Sequence, residues 1–322
     1  MKALCLIRYP EGAPQPGDFE LRELPVPVLG EGEVLVQVTH LSMDPMPRLR
    51  MQVRPPMGPP MRLGAPVEGR GAGRVLQSNH PDFVPGDMVL GELGWQSLSV
   101  HASARLVRVE GGRPQDHLNA LGATGLAAWF VVDALAPQGG ETMLVAPAAG
   151  AVGSLVCQMA QVCAPGVRMV GTAVGAKQAA FLEGLAVKPI APDADFIEAG
   201  GIDLFVDGVG GAFHNRMLAG FNPRARVLLL GFVSAYGEEG LPRYGNAAAI
   251  LMKRVQMEGF LLADHMARAD EARASISRWL NDGTLRPAET IHVGLASAAT
   301  AFAGLFADSS PGKQIVELEN IA

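Results

Sequence analysis

The residues of this chain best suited to chemistry form a turn of small side chains, Ala148-Ala149-Gly150-Ala151-Val152-Gly153-Ser154. It stands between an apolar run, ETMLVAPA, and a helical pattern, LVCQMAQVC. The spacing is that of G-x-G-x-x-G, with Ala148 at the first glycine. Such a turn binds a dinucleotide for physical reasons. It must be tight, it must lack a Cβ at Gly150 so that a pyrophosphate can approach the backbone, and it must let helix and strand pack closely at Gly153. The helix that opens there offers unpaired N–H groups and a partial positive charge to phosphate. A glycine motif alone is weak, and small residues that merely pack a helix on a sheet read similarly; the strand–turn–helix context gives it weight.

A missing residue type says which dinucleotide. A site for an unphosphorylated ribose places Asp or Glu about 20 residues beyond the glycines, at the end of the second strand. From Ser154 to Leu182 the sequence has no acidic residue, and its basic residues there are Arg168 and Lys177. Lys177 falls just past the second predicted strand, where a ribose 2′-phosphate would lie, and its ammonium is a suitable point charge for that group. A solvated helix lysine is the other reading of Lys177 alone. With the acid absent, NADP(H) is the expected cofactor.

The elements that must position these residues follow from pattern. Residues 1 to about 118 carry short strand signals split by turns, EVLVQVTHLS, RGAGRVLQS and GDMVLGELGWQSLSVH, with a Pro-rich surface loop at 54–66. From 119 to about 284 apolar strands alternate with helical patterns. The strands are ETMLVAPA, VRMVGTAV, GIDLFVDGV, ARVLLLGFV and MEGFLLAD; the helices are near 152–164, 176–185, 211–220, 246–256 and 269–282. Such alternation predicts a parallel sheet covered on both faces. The tail adds a helix, ASAATAFAGLF, and a strand, GKQIVEL, and is expected to return to the first domain. The expected organisation is α/β: a mostly β domain at 1–118 and 285–322, and a doubly wound domain at 119–284.

Composition narrows the class. The 322 residues include 39 Gly and 24 Pro, yet 48% are hydrophobic and 18% charged, which excludes a disordered, Pro/Gly-rich linker. A net charge of −6, with no Lys/Arg run, argues against a nucleic-acid or anionic-membrane partner. The apolar stretch from Met143 to Cys157 is too short to span a bilayer. The N-terminal MKALCLIRYPEG reads as a first strand rather than a signal peptide. Three cysteines (Cys5, Cys157, Cys163) suit a reducing cytoplasm better than a disulfide framework. No HExxH, CxxC or G-x-S-x-G occurs, so neither a protein-held metal nor a serine hydrolase is expected.

With these pieces placed, the sequence resembles the medium-chain dehydrogenase/reductase superfamily, in its zinc-free branch of prostaglandin reductases, leukotriene B4 dehydrogenases and curcumin reductases. LSMDPMPRLRM resembles that branch's LSxDPYMRxRM, FVPGDMVLGELGWQSLSV its FKxGDxVxGxxGWQEY, LGATGLAAWF its LGxxGLTAYF, and ETMLVAPAAGAVGSLVCQMAQ its ETVxVSAAAGAVGSxVGQIAK. Where zinc-containing members carry GHE, this chain reads EGRGAGRV.

The resemblance implies a GroES-like substrate domain, a Rossmann domain, a homodimer, and reduction of a carbon–carbon double bond conjugated to a ketone or aldehyde. It implies that Gly150, Ala151, Val152, Gly153 and Ser154 meet the pyrophosphate and Lys177 the 2′-phosphate. Gly208 falls where the branch has Asn. Leu230 to Tyr236, including Gly231, Phe232, Val233 and Ser234, would line the nicotinamide, with Phe260, Leu261 and Leu262 nearby. Hydride delivered to a β-carbon leaves an enolate oxygen that needs hydrogen-bond donors. Tyr236 is the candidate catalytic donor, with the cofactor's ribose hydroxyl as a second. Met46 stands where the branch has a Tyr at the substrate, and Arg48 is a candidate to orient an acidic substrate group or to form a structural salt bridge with Asp44 or another acid. The branch's INYK Tyr falls at Pro192 and its C-terminal loop Asn at about Ser310. Met43, Met46, Met51, Met57 and Met61 form either an adaptable apolar wall or plain core. An NADPH:quinone oxidoreductase on the same scaffold, and a nucleotide-binding protein with little turnover, are the alternative functions.

Overall fold

Every second residue of EVLVQVTHLS is buried, the signature of a strand with one face on a core. This strand organises the first of two units in a computed structural model that describes residues 1–195, 201–236, 245–307 and 310–319. The units are Met1–Leu118 with Glu289–Ser309 and Gln314–Ala322, and Asn119–Ala288 with Ser310–Lys313.

In the first unit, strands β1 (Lys2–Leu6) and β2 (Phe19–Glu23) pair antiparallel. Then follow β3 (Glu33–Ser42), β4 (Gly71–Ser78), β5 (Met88–Gly91), β6 (Leu98–Ala102), β7 (Val107–Val109) and helix α1 (Pro114–Leu118). In the second unit come α2 (Ala123–Leu135), β8 (Thr142–Ala146), α3 (Ala151–Cys163), β9 (Arg168–Thr172), α4 (Gly175–Gly184) and β10 (Lys188–Ile190). They are followed by β11 (Ile202–Asp207), α5 (Gly211–Met217), β12 (Phe221–Leu229), α6 (Ala247–Lys253), β13 (Gln256–Gly259) and α7 (Ala269–Asn281). The tail supplies β14 (Glu289–Val293), α8 (Ser297–Gly304) and β15 (Lys313–Glu317).

The first unit's main sheet runs β14-β15-β3-β4-β5-β7, with β6 also on β3. Its core gathers Phe19, Trp95 and Phe302 from a strand, a loop and α8, with Trp95 centroids 5.4 and 5.3 Å from those of the two phenylalanines. The tail helix and strand join this GroES-like fold as expected.

The second unit's sheet runs β10-β9-β8-β11-β12-β13 and is parallel throughout. This is the doubly wound Rossmann order, whose connections reverse direction between the first strand, β8, and the fourth, β11. Apolar strands make it possible: all of Thr142–Ala146 is buried, as are Leu204 to Asp207.

Several boundaries differ from the sequence reading, for local reasons. Helix α2 goes unforeseen because ATGLAAWFVVDAL is apolar nearly all round, leaving no face to read. The helix expected at 246–256 is only Ala247–Lys253. Arg254 takes a left-handed conformation that ends it, and β13 begins two residues later. The helix expected at 211–220 tightens into a 3-10 turn after Met217. Strands β10 and β14 are too short or too polar to signal themselves. Residues 310–313 lie with the second unit rather than with the rest of the tail. Among the described residues, no helix is long and apolar enough to cross a membrane.

Candidate active site

The glycine turn joins β8 to α3 as its spacing requires. A Cβ at Gly153 would run into the Pro147 carbonyl oxygen, so only glycine lets the helix sit this close to the turn. Gly150 is different: its nearest neighbours to a Cβ are Pro147 atoms at 3.8 Å, leaving a concave, Cβ-free face. Gly150 caps α3 without any side-chain hydrogen bond. Ser154 is buried and returns its hydroxyl to the Ala151 carbonyl at 3.3 Å.

Lys177 occupies the first turn of α4, just beyond β9, exposed, with Nζ donating to Ser310 Oγ at 2.8 Å. Arg168, the other cation of that stretch, begins β9 at the opposite end and donates to Thr142 Oγ1 at 2.8 and 3.1 Å. The structure therefore separates the two basic residues. Ser310 belongs to a short strap that sequence reasoning singled out only as a departure. Two residues on, the Gly312 amide donates to the Ala149 carbonyl at 2.8 Å, bridging Gly150 in parallel. Gly312 has φ +77°, and a Cβ there would strike the Ala288 carbonyl. Phosphate turn and lysine are thus tied by one four-residue segment.

Beside the turn, at the end of β11, lies a second feature. The Gly208 amide donates to the Ala146 carbonyl at 2.6 Å, and a Cβ on Gly208 would sit 3.1 Å from that oxygen. The segment after β12 hangs from this point. Leu230 and Gly231 amides donate to the Asp207 carbonyl (2.7 and 3.2 Å), and the Val233 amide to the Gly208 carbonyl (3.0 Å). The Ser234 amide and hydroxyl donate to the Val209 carbonyl (3.2 and 2.6 Å). Tyr236 follows, its ring edge-on to Phe232 at 5.5 Å. A Cβ on Gly231 would lie 3.9 Å from the Tyr236 hydroxyl, so the phenol reaches back over a surface cleared of side chains. Burial raises the Tyr236 pKa above its ordinary value and holds the phenol in its donor form.

Beneath this segment sits a pair that sequence reasoning missed. Asp207 is fully buried; one carboxylate oxygen accepts the Val209 and Gly210 amides (2.9 and 2.8 Å), the other faces His214 Nδ1 at 2.7 Å. An acid closing an otherwise apolar strand, GIDLFVD, is the available signal, because a buried carboxylate must find donors. Phe260 also departs from its expected role: its side chain stacks on His265 (5.0 Å, 14°) within the core, leaving only its backbone toward the strand ends. Leu261 is exposed and Leu262 half-buried.

In the first unit, Arg48 is corrected as a substrate residue. It is 1% exposed, and its guanidinium donates to the carbonyls of Pro10, Gly12 and Met51 at 2.8–3.1 Å. It clamps two loops together, and the salt bridge to Asp44 does not form. A buried planar fork is well spent on several carbonyls. Met46 is 49% exposed on a 3-10 turn. The methionine group divides: Met43, Met51 and Met61 are core, Met46 and Met57 surface. Among the described residues no group of three or more His, Cys, Asp or Glu could hold a metal ion.

The nucleotide edge fits NADP(H) on its own features: a helix start with no side-chain cap beside a Cβ-free turn, a lysine past the second strand, and no carboxylate from Ser154 to Leu182 to repel a 2′-phosphate. Comparison with known proteins agrees. Residues 2–109 match the family of the N-terminal domain of oxidoreductase. The chain is 34% identical to the NADPH-dependent curcumin reductase of Escherichia coli (strain K12), over 97% of this chain and 95% of that one. It is 30% identical to prostaglandin reductase 1 of Rattus norvegicus, over 98% of both. The crystal structure of CurA in complex with NADPH from Vibrio vulnificus superimposes with a TM-score of 0.91 at 30% identity, covering 99% of this chain and 100% of that one. The chain belongs to the zinc-independent medium-chain dehydrogenase/reductases, in the branch of NADPH-dependent enone reductases that includes the prostaglandin and curcumin reductases.

Proposed function

We propose that this chain reduces the C=C bond of α,β-unsaturated ketones or aldehydes, adding hydride at the β-carbon, through the residues just described. The observation that carries this reading is the Tyr236 hydroxyl, kept protonated by burial and held over the cleared positions Gly231 and Gly208, beside the glycine turn. The amides of Ala151, Val152 and Gly153 at the start of α3 take the pyrophosphate, with Gly150 giving the approach and Ser154 fixing the turn. Lys177 takes the 2′-phosphate, and Ser310, already on its ammonium, joins it. When bound, NADPH supplies the hydride. The chain's share is to orient the reacting centre and to stabilise the oxygen that gains charge. The Gly231–Ser234 segment lines the nicotinamide, the Phe260 backbone and Leu261–Leu262 border it, and Tyr236 donates its O–H to the enolate oxygen. Solvent delivers the final proton.

In the same reading, the Asn119–Ala288 unit holds the nucleotide, while the mostly β unit serves the substrate, with Met46 as an apolar contact. A cytoplasmic homodimer completes the proposal; exposed Leu251 and Met252 on α6 support the dimer. The deciding experiment follows NADPH and NADH oxidation in parallel against a series of enones and a series of quinones. Turnover of enones with NADPH is expected. Turnover of quinones alone, or an NADH preference, overturns the reading.

A further inference from the structure

The mechanism above uses Tyr236 and the 230–234 backbone but not the buried pair beneath them. Asp207 and His214 are both fully buried, and the pair is built around one carboxylate. Its Oδ1 fixes the Val209 and Gly210 amides, and His214 Nδ1 meets its Oδ2 at 2.7 Å. The ring is wedged between Phe205 (centroids 5.8 Å) and Phe221 (6.3 Å), so it has one orientation. The carbonyls of the same three residues, Asp207, Gly208 and Val209, then accept the hydrogen bonds from Leu230, Gly231, Val233 and Ser234. Whatever fixes the 207–209 turn fixes the segment that hangs from it.

We infer that His214 is a positioning residue for hydride transfer: by locking the Asp207 carboxylate it sets the place of residues 230–234, and through them of Tyr236. The inference rests on the nicotinamide-lining role proposed for that segment. Misplacement of reacting groups by about 1 Å can cost on the order of a hundredfold in rate, so a residue several contacts away from the chemistry can govern it. Among the described residues, the hydrogen bonds that tie Leu230, Gly231, Val233 and Ser234 to the 207–209 turn run main chain to main chain apart from the one from Ser234 Oγ, so the segment's geometry depends on where that turn stands.

The test compares His214→Phe, which keeps a ring but no donor, with His214→Asn, whose side-chain amide can donate from near the Nδ1 position, and with Ser234→Ala. Amide hydrogen exchange of residues 230–234 is measured without cofactor. The kcat, the KM for NADPH and the primary isotope effect with deuterated NADPH are measured on an enone. His214→Phe is expected to speed exchange at 230–234, to lower kcat by about tenfold or more, and to raise the isotope effect, with KM for NADPH within about threefold. His214→Asn restores both exchange protection and kcat. Ser234→Ala moves exchange and isotope effect in the same direction by less, and its exposed position keeps it folded.

Unchanged exchange at 230–234 in a folded His214→Phe overturns the inference. So does a parallel loss of kcat, NADPH affinity and thermal midpoint that Asn fails to rescue. Should His214→Phe not fold, wild-type exchange and isotope effect in Ser234→Ala overturn it, and shifted values with rescue-level behaviour in His214→Asn support it. Quinone-only turnover by the wild type would sink the proposed function instead, leaving the exchange arm to decide the positioning role.

Discussion

The glycine turn after β8 and the 230–236 segment after β12 lie at the carboxyl ends of strands in one parallel sheet, yet they are held in opposite ways. The proposed phosphate edge is local. Its shape comes from which residues lack a Cβ within a seven-residue run, and its charge from a helix start and one lysine. The proposed nicotinamide edge is assembled from afar, by hydrogen bonds between residues more than twenty positions apart and by a carboxylate buried beneath them. A binding surface for a constant ligand part can be written into a short motif. A surface that must place a reacting centre is suspended from the fold.

Four substitutions probe that contrast, beginning with the most severe. Gly153→Ala forces a Cβ onto the Pro147 carbonyl and should cost roughly 3 kcal/mol of stability, read as a lowered unfolding midpoint in urea. Gly150→Ala, with open space at its Cβ, should leave the midpoint nearly unchanged and weaken NADPH binding instead. If both lose stability equally, the local account of the phosphate edge breaks. Next, Tyr236→Phe should lower kcat by roughly a hundredfold while leaving NADPH binding intact, the size expected for one lost oxyanion donor. The wild-type rate should stay level as pH passes 10. A raised phenol pKa means that the O–H persists above the ordinary tyrosine value, and activity falls only beyond it. A decline in kcat centred below pH 10 would remove Tyr236 from the reaction. The smallest effect belongs to Lys177→Ala, which should raise the KM for NADPH roughly tenfold without changing that for NADH. Equal effects on the two cofactors would show that the lysine does not read the 2′-phosphate.

The same contrast explains what could be read from the amino acids alone. Gly150, Gly153 and Lys177 announce themselves because the roles proposed for them depend on residue type at fixed spacing, and the parallel sheet announces itself through runs such as TMLVA and IDLFVD. Strand order follows once alternation is recognised. The Asp207–His214 pair could not be read, since seven positions and an intervening turn separate two residues that meet only in the folded core. Arg48 left two readings open for a related reason. An arginine in a loop reads as a ligand group or as one half of an ion pair, and only the fold reveals that carbonyls of Pro10 and Gly12, far back in the chain, occupy its donors. Phe260 reaches the end of β12 only through its backbone, whose amide donates to the Leu229 carbonyl, while the stack on His265 claims its side chain for the core.

The strap at 310–313 has a consequence for the order in which the protein becomes competent. The glycine turn, α3 and Lys177 are all made in the first 177 residues, but the partners of the Ala149 carbonyl and of the Lys177 ammonium arrive only with Gly312 and Ser310. On the ribosome, the proposed phosphate edge therefore waits for a segment made 133 residues after Lys177. In that reading nucleotide capture is a late event of synthesis, and a polypeptide cut short before residue 310 lacks the partners of the Ala149 carbonyl and the Lys177 ammonium.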